Sequence, residues 1–325
     1  MCYSAQIWAD YHKYERLGGK LDIKGYLKLA GWTRQKGNWT KVVPKTMRHS
    51  MLALAASAPG LSEEAAAAEA ESVADITREM AVQVGRKALA EAKLASAKPT
   101  KAAADALRIS TNKIENFQRK LDDFAVPPGV DGIDRIWPGH FAPVLIRDPD
   151  TGERVIVPMR YRCRLPGWDE AKEIEKPGTY NARRDSLPTV WRKVFGVHHR
   201  IIGVHRFYES VALNDLQQRA LAPGEREQKV EIAFTPQTGG DLLVPCLWTF
   251  TEALGDDPGF YSFAVITDHP PPEVAIAGHD RCIVTLSEED IEAWLNPTGQ
   301  TAAALQAILD RGEVVRPYFE HALAA

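Results

Sequence analysis

An α+β fold is predicted for this chain, and three observations carry that prediction. Two long helical periods precede Pro128, seven short segments rich in Val, Ile, Phe and Tyr follow it, and the two kinds of element do not alternate as a doubly wound fold requires. The 325 residues allow one large domain or two ordinary ones, and an apolar fraction of 45% is enough for a real core. No apolar run has membrane length, and the first four residues lack the basic start and apolar segment of a secretory signal. The cytoplasm is therefore the expected location.

Taken in order, residues 5–31 read as short helices and turns. Apolar and aromatic side chains from Ala5 to Tyr14 fall at helical spacing, Gly18-Gly19 stops the run, and Gly25–Ala30 gives a further helical turn. Residues 32–48 are basic with no clear period and are expected to form a loop. Ser62 is a good N-cap for an alanine-rich helix carrying Ile76, Met80 and Val84 four apart, and Lys98-Pro99 breaks it. A second helix runs from about Thr100 to Phe124, with Leu107, Ile114, Phe117 and Leu121 on one stripe, until Pro127-Pro128-Gly129. This pair reads as a helical hairpin whose stripe is packing surface or a site for a protein partner.

Strands are expected at 141–147, 153–162, 200–208, 229–234, 242–250, 259–267 and 281–286, forming a curved, mixed sheet. Ser287-Glu-Glu-Asp caps a short helix with Ile291, Trp294 and Leu295. Thr301–Leu309 forms another helix, closed by Arg311-Gly312.

Net charge is −3, but the charges are segregated. From Ile23 to Ser62 there is no acid, while Lys24, Lys28, Arg34, Lys36, Lys41, Lys45 and Arg48 occur with Trp32 and Trp39 among them. A second acid-free run, Ser186–Tyr208, holds Arg192, Lys193, Arg200 and Arg206 with His198, His199 and His205. Basic residues with interleaved aromatics suit phosphate contact and base stacking, and equally a solvated surface.

The four cysteines, Cys2, Cys163, Cys246 and Cys282, contain no C-x-x-C, so reduced thiols are expected rather than a disulfide framework or zinc site. The histidines and Cys163 fit no familiar metal spacing, and no metal or cofactor is expected. Cys2 stands out because trimming of Met1 would leave a thiol and a free α-amine on adjacent carbons. Such a 1,2-aminothiol can attack an amide, or condense with an aldehyde to a thiazolidine ring.

Three polar clusters stand where loops meet strands. In Asn181-Ala-Arg183-Arg184-Asp185, an amide and a guanidinium two apart share one face of an extended segment. In Arg206-Phe-Tyr-Glu209, a carboxylate ends an apolar strand, where burial would raise its pKa. In His279-Asp280-Arg281, a group that titrates near neutrality stands at a strand entrance. Each is also compatible with an ordinary surface turn or ion pair.

Together with Cys2, these clusters resemble in order and surroundings the SOS response-associated peptidase (SRAP) family, whose members covalently capture abasic sites in single-stranded DNA. Met159-Arg-Tyr-Arg-Cys-Arg-Leu-Pro-Gly-Trp168 resembles the family's M-R-W-G-L-I-P-x-W segment, Tyr261–Thr267 its S-F-x-I-I-T strand, and Glu292-Ala-Trp-Leu295 its closing W-L helix. The resemblance covers residues 1–31 and about 135–296.

It implies a curved, barrel-like core made from residues 1–31 and 131–325, with 32–130 as an inserted basic segment and helical hairpin. It implies a DNA-protein crosslink through Cys2, with Asn181 orienting that residue, Glu209 assisting sugar-ring opening and His279 acting as acid and base. Arg183 would hold the phosphate beside the lesion, and Arg184, Arg192, Lys193, Arg200, Arg206 and Arg281 would line the strand channel. The family name reflects self-removal of the residue before the cysteine. The implied partner is abasic single-stranded DNA, bound by a monomer that joins the nucleoid when on DNA.

The chain departs from the family's opening M-C-G-R, because Tyr3 and Ser4 follow the cysteine. Tyr161 stands where Trp is common, Ser210 where Trp follows the Glu, and Cys282-Ile283 where Met-Pro follows His-Asp-Arg. The basic insertion, with Arg34, Lys36, Lys41 and Lys45, would supply replacement contacts. Two other classes stay open: an N-terminal-nucleophile amidohydrolase, and a non-catalytic DNA or protein adaptor built on the hairpin.

Overall fold

The computed structural model describes residues 3–128, 132–148, 150–255 and 258–324. The α+β class holds, with one large twisted sheet and a helical layer beside it. Among the described residues no helix is long and apolar enough to cross a membrane.

The chain opens with a strand, β1 (Ser4–Trp8), where helical turns were expected. Its burial explains the difference. Both faces of β1 are covered, so its apolar residues need not alternate, and a doubly buried strand imitates helical spacing. After the helical turn α1 (His12–Glu15) and β2 (Lys20–Leu21), Asp22 caps α2 (Ile23–Gln35) by accepting from the Gly25 amide at 3.0 Å.

The basic stretch is helical as well, forming α3 (Trp39–Val42) and α4 (Lys45–Leu52). Trp39 and Met47 are buried there, so this segment is folded against its neighbours and is no loop. Helix α5 (Pro59–Leu94) starts earlier than the Ser62 cap implies, because Pro59 serves at the first helical position. Ser62 instead donates to the Leu52 carbonyl at 2.8 Å. With 36 residues, α5 is roughly 54 Å long. Thr100 caps α6 (Lys101–Ala125), which packs antiparallel on α5 as the expected hairpin, while the first half of α5 packs on α2 and α4.

The strands follow: β3 (Ile133–Ile136), β4 (Phe141–Arg147) and β5 (Arg154–Tyr161), then α7 (Glu170–Glu175) and β6 (Asn181–Arg183). After these come β7 (His199–Ala212), α8 (Leu213–Leu216), β8 (Lys229–Pro236), β9 (Leu242–Thr251) and β10 (Phe260–Asp268). The chain closes with α9 (Pro272–Ile276), β11 (Cys282–Ile283), α10 (Ile291–Leu295), α11 (Ala302–Val315) and β12 (Phe319–Leu323). Gly312 does not end α11 but lies inside it, since a Cβ there would fall 1.8 Å from the Thr285 carbonyl oxygen.

Two strands organise the sheet. β7 pairs antiparallel with β1, β4, β8 and β9, and β10 pairs with β5 and β6 in parallel and with β9 and β11 antiparallel. Pairing runs β10–β5–β4–β7–β9 and returns to β10, but the β4–β7 junction is the single pair Leu145–Ile201 and further strands branch off. The result is a strongly curved sheet and not a clean barrel. One core, including Phe207, Phe234 and Phe263, lies on one side, and a second, including Trp8, Trp191 and Trp294, on the other.

Candidate functional site

The three polar clusters converge on the two organising strands. Asn181 opens β6 opposite Val265 of β10, and Thr267 of β10 stands between Arg183 on one side and Ile283 of β11 on the other. His279 is placed by the turn from α9 into β11, its amide bonding the Val274 carbonyl at 3.3 Å. Glu209 belongs to β7, next to Tyr208, which pairs with Ser4 of β1.

Glu209 and His279 meet. The Nε2 of His279 lies 3.1 Å from Oε2 of Glu209, and both side chains are buried. The His279 Nδ1 lies 2.8 Å from the Arg281 carbonyl oxygen and 3.3 Å from the Arg281 amide nitrogen, so the backbone of the turn fixes the ring with Nε2 toward the carboxylate. Burial pushes the Glu209 carboxyl above its ordinary value, and the hydrogen bond from His279 pulls it back. Such a pair can deliver a proton to a reacting group and recover it within one turnover.

The surroundings are aromatic and cationic. Tyr3 meets Tyr180 edge to face at 6.0 Å, and Tyr180 meets Tyr161 at 5.9 Å. Arg135 donates to the Ser4 hydroxyl at 2.7 Å and its guanidinium lies 3.7 Å from the centre of the Tyr208 ring. Neither Tyr180 nor Arg135 was singled out in the sequence, because neither stands in one of its polar clusters.

The expected strand-channel arginines divide. Arg192 and Lys193 are exposed, and Arg206 is half-buried beside His205. Arg183 is exposed, and its guanidinium grips Asp185 at 2.6 and 3.2 Å. Arg281 is buried, with Nη1 donating to the Asp280 carbonyl at 3.1 Å. Two of the expected residues are engaged within the protein. Arg184 is half-buried and bound to Asp268 at 3.1 Å, to Asp310 and to Gln306, so it ties the end of β6 to α11. Arg200 has no exposed surface and stacks 3.8 Å from the Phe263 ring centre, where no phosphate can reach it.

Among the insertion's basic residues, Arg34 binds Glu64 and Glu71, Arg48 binds Glu69, and Lys45 binds Asp123, so these three hold the hairpin, while Lys41 is exposed. Trp39 donates to Glu69 at 3.1 Å, and Trp32 stacks on Phe260, so neither is an open platform for a base. Cys163, Cys246 and Cys282 are buried, and burial pushes the first two thiols up to about 11 and about 12, which makes them poor nucleophiles. Cys2 lies outside the described residues.

The sequence profile of the family described as SOS response associated peptidase (SRAP) matches residues 106–318. A solved protein from Bordetella bronchiseptica is 22% identical, over 64% of this chain and 95% of its own, with a TM-score of 0.44. One from Bacteroides thetaiotaomicron is 14% identical over 59% and 77%, with a TM-score of 0.45. A phage-related protein from Bordetella bronchiseptica is 18% identical over 61% and 84%, with a TM-score of 0.43. No curated protein matches the sequence.

Proposed function

This chain belongs to the SRAP family, and from that premise we propose that it captures abasic sites in single-stranded DNA through Cys2, once Met1 has been removed. The observation that carries the reading is the buried Glu209–His279 contact of 3.1 Å, one residue along β7 from the partner of Ser4. Chain connectivity alone holds Cys2 within ~7 Å of Ser4.

The chemistry follows from the groups at hand. Glu209, its carboxyl pushed above the ordinary value by burial, donates a proton to the sugar-ring oxygen of an abasic deoxyribose while water takes the proton of the anomeric hydroxyl, and the ring opens to the aldehyde. The Cys2 amine adds to the aldehyde carbon, and His279 supplies the proton with which water leaves. The Cys2 thiolate then adds to the imine carbon, the nitrogen takes up a proton, and a thiazolidine joins protein to DNA. Asn181 orients Cys2, and Arg183 exchanges Asp185 for a phosphate. Self-removal of Met1, the activity behind the family name, uses the same thiol.

The hairpin takes no part in these steps, and residues 32–130 are read as an insertion in a core formed by 1–31 and 131–325. Arg192, Lys193 and Arg206 guide the strand, while the buried Arg281 stiffens the turn that carries His279. The reaction takes place in the cytoplasm and on the nucleoid, with the protein as a monomer.

Incubation with an abasic oligonucleotide gives an adduct that survives denaturant, and intact mass identifies it as the protein without Met1 plus the strand, less one water. Cys2→Ala removes the adduct, and so does any residue added before Cys2. An adduct that persists in Cys2→Ala, or none with the wild-type protein, overturns the reading.

A further inference from the structure

Away from Glu209 and His279, three arginines converge on one carboxylate. Arg160 lies in β5 and Arg162 and Arg164 just beyond its end, and Glu173 of α7 stands among all three. Arg164 contacts Glu173 at 2.8 Å, Arg162 at 3.5 Å, and Arg160 donates to it directly. Three positive charges against one negative leave an excess of two. The neighbouring charges on α7 do not cancel it: Asp169 caps the helix at the Lys172 amide, and Glu175 pairs with the Lys172 ammonium.

Two further observations point to a ligand. Glu173 is 3% exposed, whereas Arg160, Arg162 and Arg164 keep 17, 24 and 15% of their side-chain surface open to solvent. Arg162 also has φ +109°, a conformation natural to glycine and strained for any other residue. A strained backbone that presents a charged side chain to an uncompensated cationic cluster marks a position held for function rather than for folding. Beside it, Arg160 and Arg164 lie 4.4 and 5.1 Å from the ring centre of Phe260.

We infer that Arg160, Arg162 and Arg164 form an anion site for a phosphate group, supplied by the DNA backbone. Guanidinium forks suit a phosphate's oxygens, and the anion brings the cluster close to neutrality. The site is about 10 Å from Asn181 along β10, because Ser262 faces Arg160 and Val265 faces Asn181. A strand engaged there is held at a second point, away from the reacting sugar. The inference rests on the DNA-capture reading, and its test is arranged so that the two fail separately.

Binding of a short undamaged single-stranded oligonucleotide is measured against salt for the wild-type chain, Arg162→Gly and Arg164→Gln. Removing one arginine–phosphate interaction lowers the slope of log K against log salt by about 0.7. Arg162→Gly is expected to lose affinity and about that much slope while melting no earlier than wild type, since glycine takes φ +109° freely. Inorganic phosphate should raise the melting temperature of the wild type more than that of either variant. Loss of the phosphate effect with an unchanged DNA slope assigns the site to free phosphate and overturns the DNA source. Unchanged behaviour in both assays overturns the site, and Arg164→Gln decides the matter if Arg162→Gly does not fold. Crosslink yield of the wild-type chain with an abasic strand is measured alongside, so a failed capture reaction is recognised independently of the salt slopes.

Discussion

The two acid-free runs, Ile23–Ser62 and Ser186–Tyr208, look alike in sequence and end in different physical situations. In the first, carboxylates from α5 and α6 reach back along the chain to occupy Arg34, Arg48 and Lys45. In the second, Arg192 and Lys193 face solvent while Arg200 is enclosed in the core, stacked on an aromatic ring. A run of positive charge therefore specifies a surface potential only after the fold has decided which distant acids meet it. The first run is cement for the hairpin, and the second leaves Arg192 and Lys193 at the surface.

The comparison breaks most sharply at Glu69. It accepts from both the buried Arg48 and the Trp39 indole, so Glu69→Ala strands a guanidinium and should cost about 3–5 kcal/mol in urea unfolding. A loss under about 1 kcal/mol would show that the first run is not held by its acids.

Arg200 gives the next largest effect. Burial pulls its pKa down to about 9, well below the ordinary arginine value, so above that pH the unfolded chain binds more protons than the folded one and stability rises with pH. The cost is full below about 9 and fades as pH climbs beyond it. Arg200→Met should unfold at higher urea than wild type at neutral pH, by about 1–4 kcal/mol, with the gap closing as pH climbs past 9. A gap constant with pH would mean that the charge is not what the core resists.

The smallest effect on stability belongs to Arg192→Ala combined with Lys193→Ala, which should stay within about 0.5 kcal/mol of wild type. The same pair should reduce the salt slope of single-strand binding by up to about 1.4, two contacts at about 0.7 each. Equal slopes in variant and wild type would return the second run to ordinary solvated surface.

Much of the sheet was legible because its strands are short, β-branched and fenced by Pro, Gly and Asp; Phe141–Arg147 and Phe260–Asp268 stand where the sequence places them. β1 was not, since a strand covered on both faces loses the alternation that betrays a strand. Helices α3 and α4 were hidden for a related reason: they are a few residues each and acquire a buried face only from α5, whose position is a tertiary fact. In the site, Asn181, Glu209 and His279 were visible as polar groups at strand ends. What sequence could not supply was orientation, which separates exposed Arg192 from enclosed Arg200. The convergence of Arg160, Arg162 and Arg164 was equally out of reach, because it depends on Glu173, which arrives from α7.

Gly203 lies under Trp8, where a Cβ would come within 2.1 Å of the indole, and its amide donates to the Tyr14 hydroxyl at 3.0 Å. The pairing of β1 with β7 shifts register between Gln6 and Ile7, just before that contact. The indole works as a detent: it clicks into the notch left by the missing side chain and fixes where β1 lies along β7, so a steric stop as well as hydrogen bonding sets the register of the first strand.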